Sequence, residues 1–309
     1  MKKALIVMLL LLSATVLMLW QGNGKGLPTS ERASVVVTTF VLYDLASTIA
    51  GDKVRVEMLM PLGTDVHSFE PTPRDMARLS LAKLFIYSGA GMEPWVKDSA
   101  FEATKLDISH FVTLHSLEEE RHEAHEGPCT HYSGGGDPHY WLDPHNMIVA
   151  AKEVASALSV LDADNTAYYK ERSENYVKRM EALDDAYKQR LQSCSKRMIV
   201  VNHNAFGYLA ERYGFDVHAI SALSPEAMPS AKTMAELSDL IVKEDVKVLF
   251  FESFVSDRLM KSLANETGAS VDVLHPLANI TADQAEQGSD YVTLMEVNLE
   301  KLAGAMECR

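Results

Sequence analysis

From residue 164 to 193 the chain contains neither glycine nor proline and is rich in Lys, Glu, Arg and Ala. Tyr169, Tyr176, Met180, Leu183, Tyr187 and Leu191 recur there at helical spacing, so the segment reads as one amphipathic helix. At 1.5 Å per residue it would be about 45 Å long, wider than one small domain. A helix of that length can serve as a spine for two bodies. Its apolar positions do not keep a heptad long enough for a coiled coil.

On both sides of the spine, short β-branched runs alternate with amphipathic stretches, the pattern of parallel sheets covered by helices. Strands are expected at 35–40, 54–60 and 84–87, and again at 198–202, 215–220, 246–251 and 270–274. Helices are expected at 72–81, with Pro73 in the first turn, and at 147–160, where Asn146 could cap. No internal repeat is visible. The division that follows is an N-terminal segment 1–33, an α/β lobe 34–162, the spine 163–194 and a second α/β lobe 195–309.

Lys2 and Lys3 precede an apolar run from Ala4 to Met18, which is an export-signal pattern. Cleavage and retention as an anchor both fit a run of that length. No cysteine follows it to take a lipid. The chain is expected to work in the periplasm or elsewhere outside the cytoplasm. Of its three cysteines, Cys194 and Cys308 are the favoured pair, with Cys129 left over. A net charge of -14 argues against a nucleic-acid partner, which calls for basic surface.

Four histidine sites stand out among eleven histidines. His67 lies in PLGTDVHSFEPTPRD and His203 in VVNHNAFGYLAERYG, each directly after a strand, where open α/β sheets bind ligands. Asn202 and Asn204 could orient His203. His139 and His145 share the turn-rich GGGDPHYWLDPHN. The acidic stretch 118–136 carries His122, His125 and His131, and its imidazoles and carboxylates suit loose, auxiliary metal binding. His110, His115 and His218 are assigned ordinary structural or surface duty.

The runs GTDVHSFEPTPRD, DPHYWLDP and VNHNAFGYLAERYG, in that order around a His-rich loop and a long helix, resemble the cluster A-I solute-binding proteins of ABC transporters. The likeness is to their high-affinity zinc uptake branch and covers nearly everything after the export signal. It implies two Rossmann-like lobes joined by a rigid helix, with little hinge motion and Zn²⁺ in the cleft. It also implies His67 and His139 as ligands from the first lobe and His203 from the second. Manganese-binding relatives typically have Glu at the His203 position. Some relatives supply a carboxylate near Ala278, which cannot coordinate, so His275, Glu252, Asp283 or water is left to complete the shell. The preferred reading is water or a recruited side chain, with His275 the named candidate.

The implied partners are a membrane permease with its cytoplasmic ATPase and a zinc-donating metallochaperone; the expected state is a monomer. The rival functions are a metal-dependent adhesin and a zinc hydrolase. Against the hydrolase, the sequence has no HExxH helix and no nucleophile elbow, so no enzyme activity is expected. Three imidazoles near pH ~6.5 would make metal binding fall steeply below pH 6.

Overall fold

The computed structural model describes residues 34–116, 136–221, 229–254 and 256–309. Two four-stranded sheets organise them, and every strand pair is parallel. In the first sheet β1 (Ser34–Val37), β2 (Arg55–Met58), β3 (Leu84–Tyr87) and β4 (Thr104–Asp107) stand in the order β2-β1-β3-β4. In the second, β5 (Met198–His203), β6 (Asp216–Ser221), β7 (Val248–Phe251) and β8 (Ser270–Val273) stand in the order β6-β5-β7-β8. The two orders are the same when counted within each lobe. Both sheets therefore present the ends of their strands as a row of loops in the same sense.

Two sequence expectations need correction here. The strand expected at 35–40 stops at Val37, and Phe40 opens helix α1 (Phe40–Ala50). Seven of its eleven residues are buried, and Phe40, Val41 and Leu42 follow β1 after only two threonines, so the apolar strand pattern reads on into a helix whose less-buried side is Tyr43, Asp44, Ser47 and Thr48. Strand β4, with the sequence TKLD, lacks the apolar run that marks its neighbours. Helix α2 (Pro73–Leu81) starts as read, from a reciprocal cap between Thr72 and Asp75. Helix α3 (Pro144–Leu161) is capped by Asp143 rather than Asn146. The Asn146 amide instead holds the chain at Thr113, accepting from its N–H at 3.1 Å and donating to its carbonyl at 3.2 Å.

The spine is α4 (Thr166–Leu191), about 39 Å long at the usual rise. Tyr169, Tyr176, Met180, Leu183, Tyr187 and Leu191 all lie on its buried face, as their spacing predicts. They join one apolar cluster that runs from Val35 and Ile86 through Trp141 to Phe250 and Leu302, so a single core spans both sheets. An interface of that kind opposes the relative motion expected of loosely joined domains. Polar ties reinforce it. Trp141 Nε1 donates to the Pro276 carbonyl at 2.7 Å, and Tyr291, the first residue of helix α9 (Tyr291–Ala305), donates to the Trp141 carbonyl at 2.6 Å. Cys194, just past the spine, is disulfide-bonded to Cys308, just past α9. Cys129 lies outside the described residues.

Candidate metal centre

Three imidazoles meet where the loops of the two sheets face each other. His67 sits in a single 3-10 turn, Val66–Ser68, eight residues beyond the end of β2. His139 caps a second such turn, Tyr140–Leu142, and His203 is the last residue of β5. His139 Nε2 is 3.4 Å from His67 Nε2 and 3.4 Å from His203 Nε2. The ring centroids form a nearly equilateral triangle of 5.3, 5.2 and 5.2 Å. Ligand nitrogens about 2.0–2.1 Å from a tetrahedral ion stand about 3.3–3.4 Å apart, so the observed spacing suits zinc.

Two of the three rings are backed by a carboxylate, and the third is held by its backbone. Asp137 Oδ1 accepts the His139 backbone N–H at 2.9 Å and faces its Nδ1 at 2.7 Å. Glu252, directly after β7, brings Oε1 against Nδ1 of His203, in close contact but without regular hydrogen-bond alignment. Carboxylates at both Nδ1 positions favour the tautomer that leaves the Nε2 lone pairs pointing inward. Asp65 accepts the His67 N–H at 3.1 Å. His139 and His203 are buried and His67 is half-buried at the mouth.

Burial, with the facing rings second, holds His67 well below the usual histidine pKa, and burial with His203 brings His139 down to about 3. Both rings are therefore neutral and ready for metal in mildly acidic solution. This moves the expected proton competition to lower pH than an ordinary imidazole implies.

The same cluster corrects other expectations. Asn202 does not orient His203, since both of its amide atoms lack a partner and Glu252 takes that role. Among the described residues no fourth His, Cys, Asp or Glu joins the three. His275 is turned away: its Nε2 meets the Gln284 amide at 3.2 Å, and its backbone is clasped on both sides by Asn298. Ala278 does line the cleft beside His67, and its carbonyl accepts the Phe40 N–H at 2.9 Å. His122, His125 and His131 lie outside the described residues. Sequence reading missed Asp137 as an orienting group. Its signal was present as Asp-x-His, which occurs at 65–67, 137–139, 143–145 and 216–218; in the first three the Asp accepts the N–H of the His two residues on, whereas the fourth lies within β6.

Fold and cleft together define a two-lobed α/β binding protein with three imidazoles grouped so that they could hold a metal ion. The family model for ZnuA, zinc-uptake complex component A, periplasmic, matches residues 35–305. The high-affinity zinc uptake system protein ZnuA of Bacillus subtilis is 33% identical over 92% of this chain and 91% of its own. The zinc-binding lipoprotein AdcA of Streptococcus pneumoniae is 32% identical, but the match spans only 55% of its length. The Zn(II)-bound ZnuA-like domain of AdcA superposes with a TM-score of 0.75 at 30% identity, covering 89% of this chain and 99% of that domain. The laminin-binding protein of Streptococcus agalactiae, described as bifunctional with adhesin and metal transporting activity, gives 0.77 at 28% identity, covering 89% and 99%. The chain belongs to the ZnuA family of periplasmic zinc-uptake components, a family of binding proteins rather than a class of enzyme.

Proposed function

We propose that this chain captures one Zn²⁺ outside the cytoplasm through His67, His139 and His203 and hands it to an ABC-type permease driven by a cytoplasmic ATPase. The observation that carries this reading is the convergence of three Nε2 atoms, two of the three pairs 3.4 Å apart. An all-nitrogen donor set suits a borderline-soft ion, whereas manganese favours carboxylate oxygen. Water completes the shell. The chain acts as a monomer, leaves the cytoplasm by its N-terminal segment and accepts zinc from a metallochaperone.

An open coordination position is also the mark of catalytic zinc, but here Asp137 and Glu252 are engaged behind the imidazoles, which speaks against either serving as a general base. The adhesin reading has support from the descriptions of laminin-binding relatives and none from the cleft. Metal analysis of protein purified without chelator, followed by competition titration with Zn²⁺ and Mn²⁺, tests the proposal. One tightly held zinc and much weaker manganese are expected; equal affinities would sink it. A deletion strain that still grows normally in zinc-poor medium would favour the adhesin role.

A further inference from the structure

The helix after His203 reaches back into the other lobe. Helix α5 (Gly207–Tyr213) starts four residues beyond that ligand, and its Tyr208 is 2% exposed. The Tyr208 hydroxyl donates to the carbonyl of Asp137 at 2.6 Å and accepts the backbone N–H of His115 at 3.0 Å. The His115 ring stacks on the phenol at 3.7 Å between centroids, and its Nε2 meets Glu211 Oε2 at 2.6 Å. Asp137 in turn donates its N–H to the His115 carbonyl at 3.0 Å. A Cβ on Gly136 would stand 2.9 Å from that carbonyl, so only glycine lets the two stretches run this close. Asp137 is thus fixed by its backbone on both sides before its carboxylate meets His139.

We infer that Tyr208 is a positioning residue for metal capture. From the C-terminal lobe its hydroxyl sets the place of Asp137 and, through that carboxylate, the direction of His139 Nε2. The ligands of the two lobes then converge as one unit. His115, read from sequence as an ordinary histidine, is the other half of this bridge through its main chain. The inference rests on the three-imidazole zinc site proposed above. A Tyr208 that merely filled space would do so equally well without its oxygen.

The test is Tyr208→Phe in the full chain, which keeps the ring and its stack, beside His115→Ala, which removes the stack but keeps the N–H. Zinc affinity by competition titration, the visible absorption spectrum of bound Co²⁺ and thermal unfolding of the metal-free protein are read for each. Removing an orienting partner typically costs 10–100-fold in metal affinity. Tyr208→Phe is expected to weaken zinc by at least about fivefold, taking a conservative floor under that range, and to change the Co²⁺ spectrum. His115→Ala should weaken zinc less than Tyr208→Phe. A smaller loss for Tyr208→Phe, an unchanged spectrum, or a larger loss for His115→Ala would overturn the assignment. If Tyr208→Phe does not fold, Gly136→Ala pushes the same backbone apart and is judged by the same two metal readouts. If His139→Ala binds zinc as tightly as the parent, the zinc site itself fails, and that outcome is distinct from failure of Tyr208 alone.

Discussion

The two lobes share a sheet order but hold the histidines proposed as ligands differently. In the C-terminal lobe His203 is a strand residue, paired with Ser221 in the ladder and fully buried. In the N-terminal lobe His67 and His139 belong to single 3-10 turns set on loops, and aspartates two residues earlier hold their backbones. A sheet fixes a side chain by register, at no cost to neighbouring side chains. A loop needs added hydrogen bonds to do the same. The N-terminal ligands should therefore be the more sensitive to loss of a supporting group, and the C-terminal ligand to loss of the imidazole alone.

The largest expected effect comes from the imidazoles themselves. His67→Ala, His139→Ala and His203→Ala should each lower zinc affinity by more than about 100-fold, above the range for orienting groups. His110→Ala and His218→Ala should stay near the parent in the same titration. A His203→Ala protein with parent affinity would remove the C-terminal lobe from the site.

The orienting carboxylates sharpen the contrast. Asp137→Asn should cost about 10–100-fold, and Glu252→Gln less than that, because β5 still holds His203. Equal losses in calorimetric titration would mean that the strand contributes no more than the loop.

Next comes the tie between lobes. Arg212 on α5 contacts Asp143, the cap of α3, and forms two hydrogen bonds to Asp184 on the spine at 2.7 and 2.9 Å. Burial alone would raise the Asp184 carboxyl, but hydrogen bonds from Arg212 and Lys188 bring it down to about 2. Its stabilising contribution is present above the unfolded value near ~3.9 and is lost as pH falls towards 2. Arg212→Met should destabilise by about 1–2 kcal/mol at pH 7 in urea unfolding, with a smaller difference at pH 2.5. A difference that does not shrink in acid would separate the effect from this ion pair.

The smallest effect concerns a buried histidine outside the centre. Burial, with Lys301 second, holds His275 down at about 4. The unfolded chain takes up that proton below about 6.5 while the fold refuses it until about 4, so His275 weakens the fold progressively across that window. The unfolding temperature of metal-free His275→Asn, relative to the parent, should rise by a few degrees between pH 7 and pH 4. A constant gap would show that the ring is not kept neutral.

The spine was the most legible element because one helical period, held over many residues, leaves no rival reading. Strands with continuous apolar runs, such as Leu84–Tyr87, were nearly as plain. α1 was not, since its opening Phe40–Leu42 continues the apolar pattern of β1 past two threonines, and β4, no shorter than Leu84–Tyr87, was too polar. At the centre, residue type and position after strands nominated His67 and His203, a turn-rich segment nominated His139 alongside His145, and the family resemblance singled out His67, His139 and His203. Nothing local distinguished them from His275, which also follows a strand.

By itself the sequence determined the two α/β halves, the spine between them, the kind of metal chemistry and the histidines able to supply it. Those follow from periodicity and donor type, which are properties of neighbouring residues. Only the tertiary structure decided that His275 faces Gln284, that Glu252 backs His203 instead of joining the shell, and that Tyr208 reaches Asp137 from 71 residues away. Each depends on where a side chain lands after two sheets pack on a common core, and packing direction across such distances is not encoded in any local pattern.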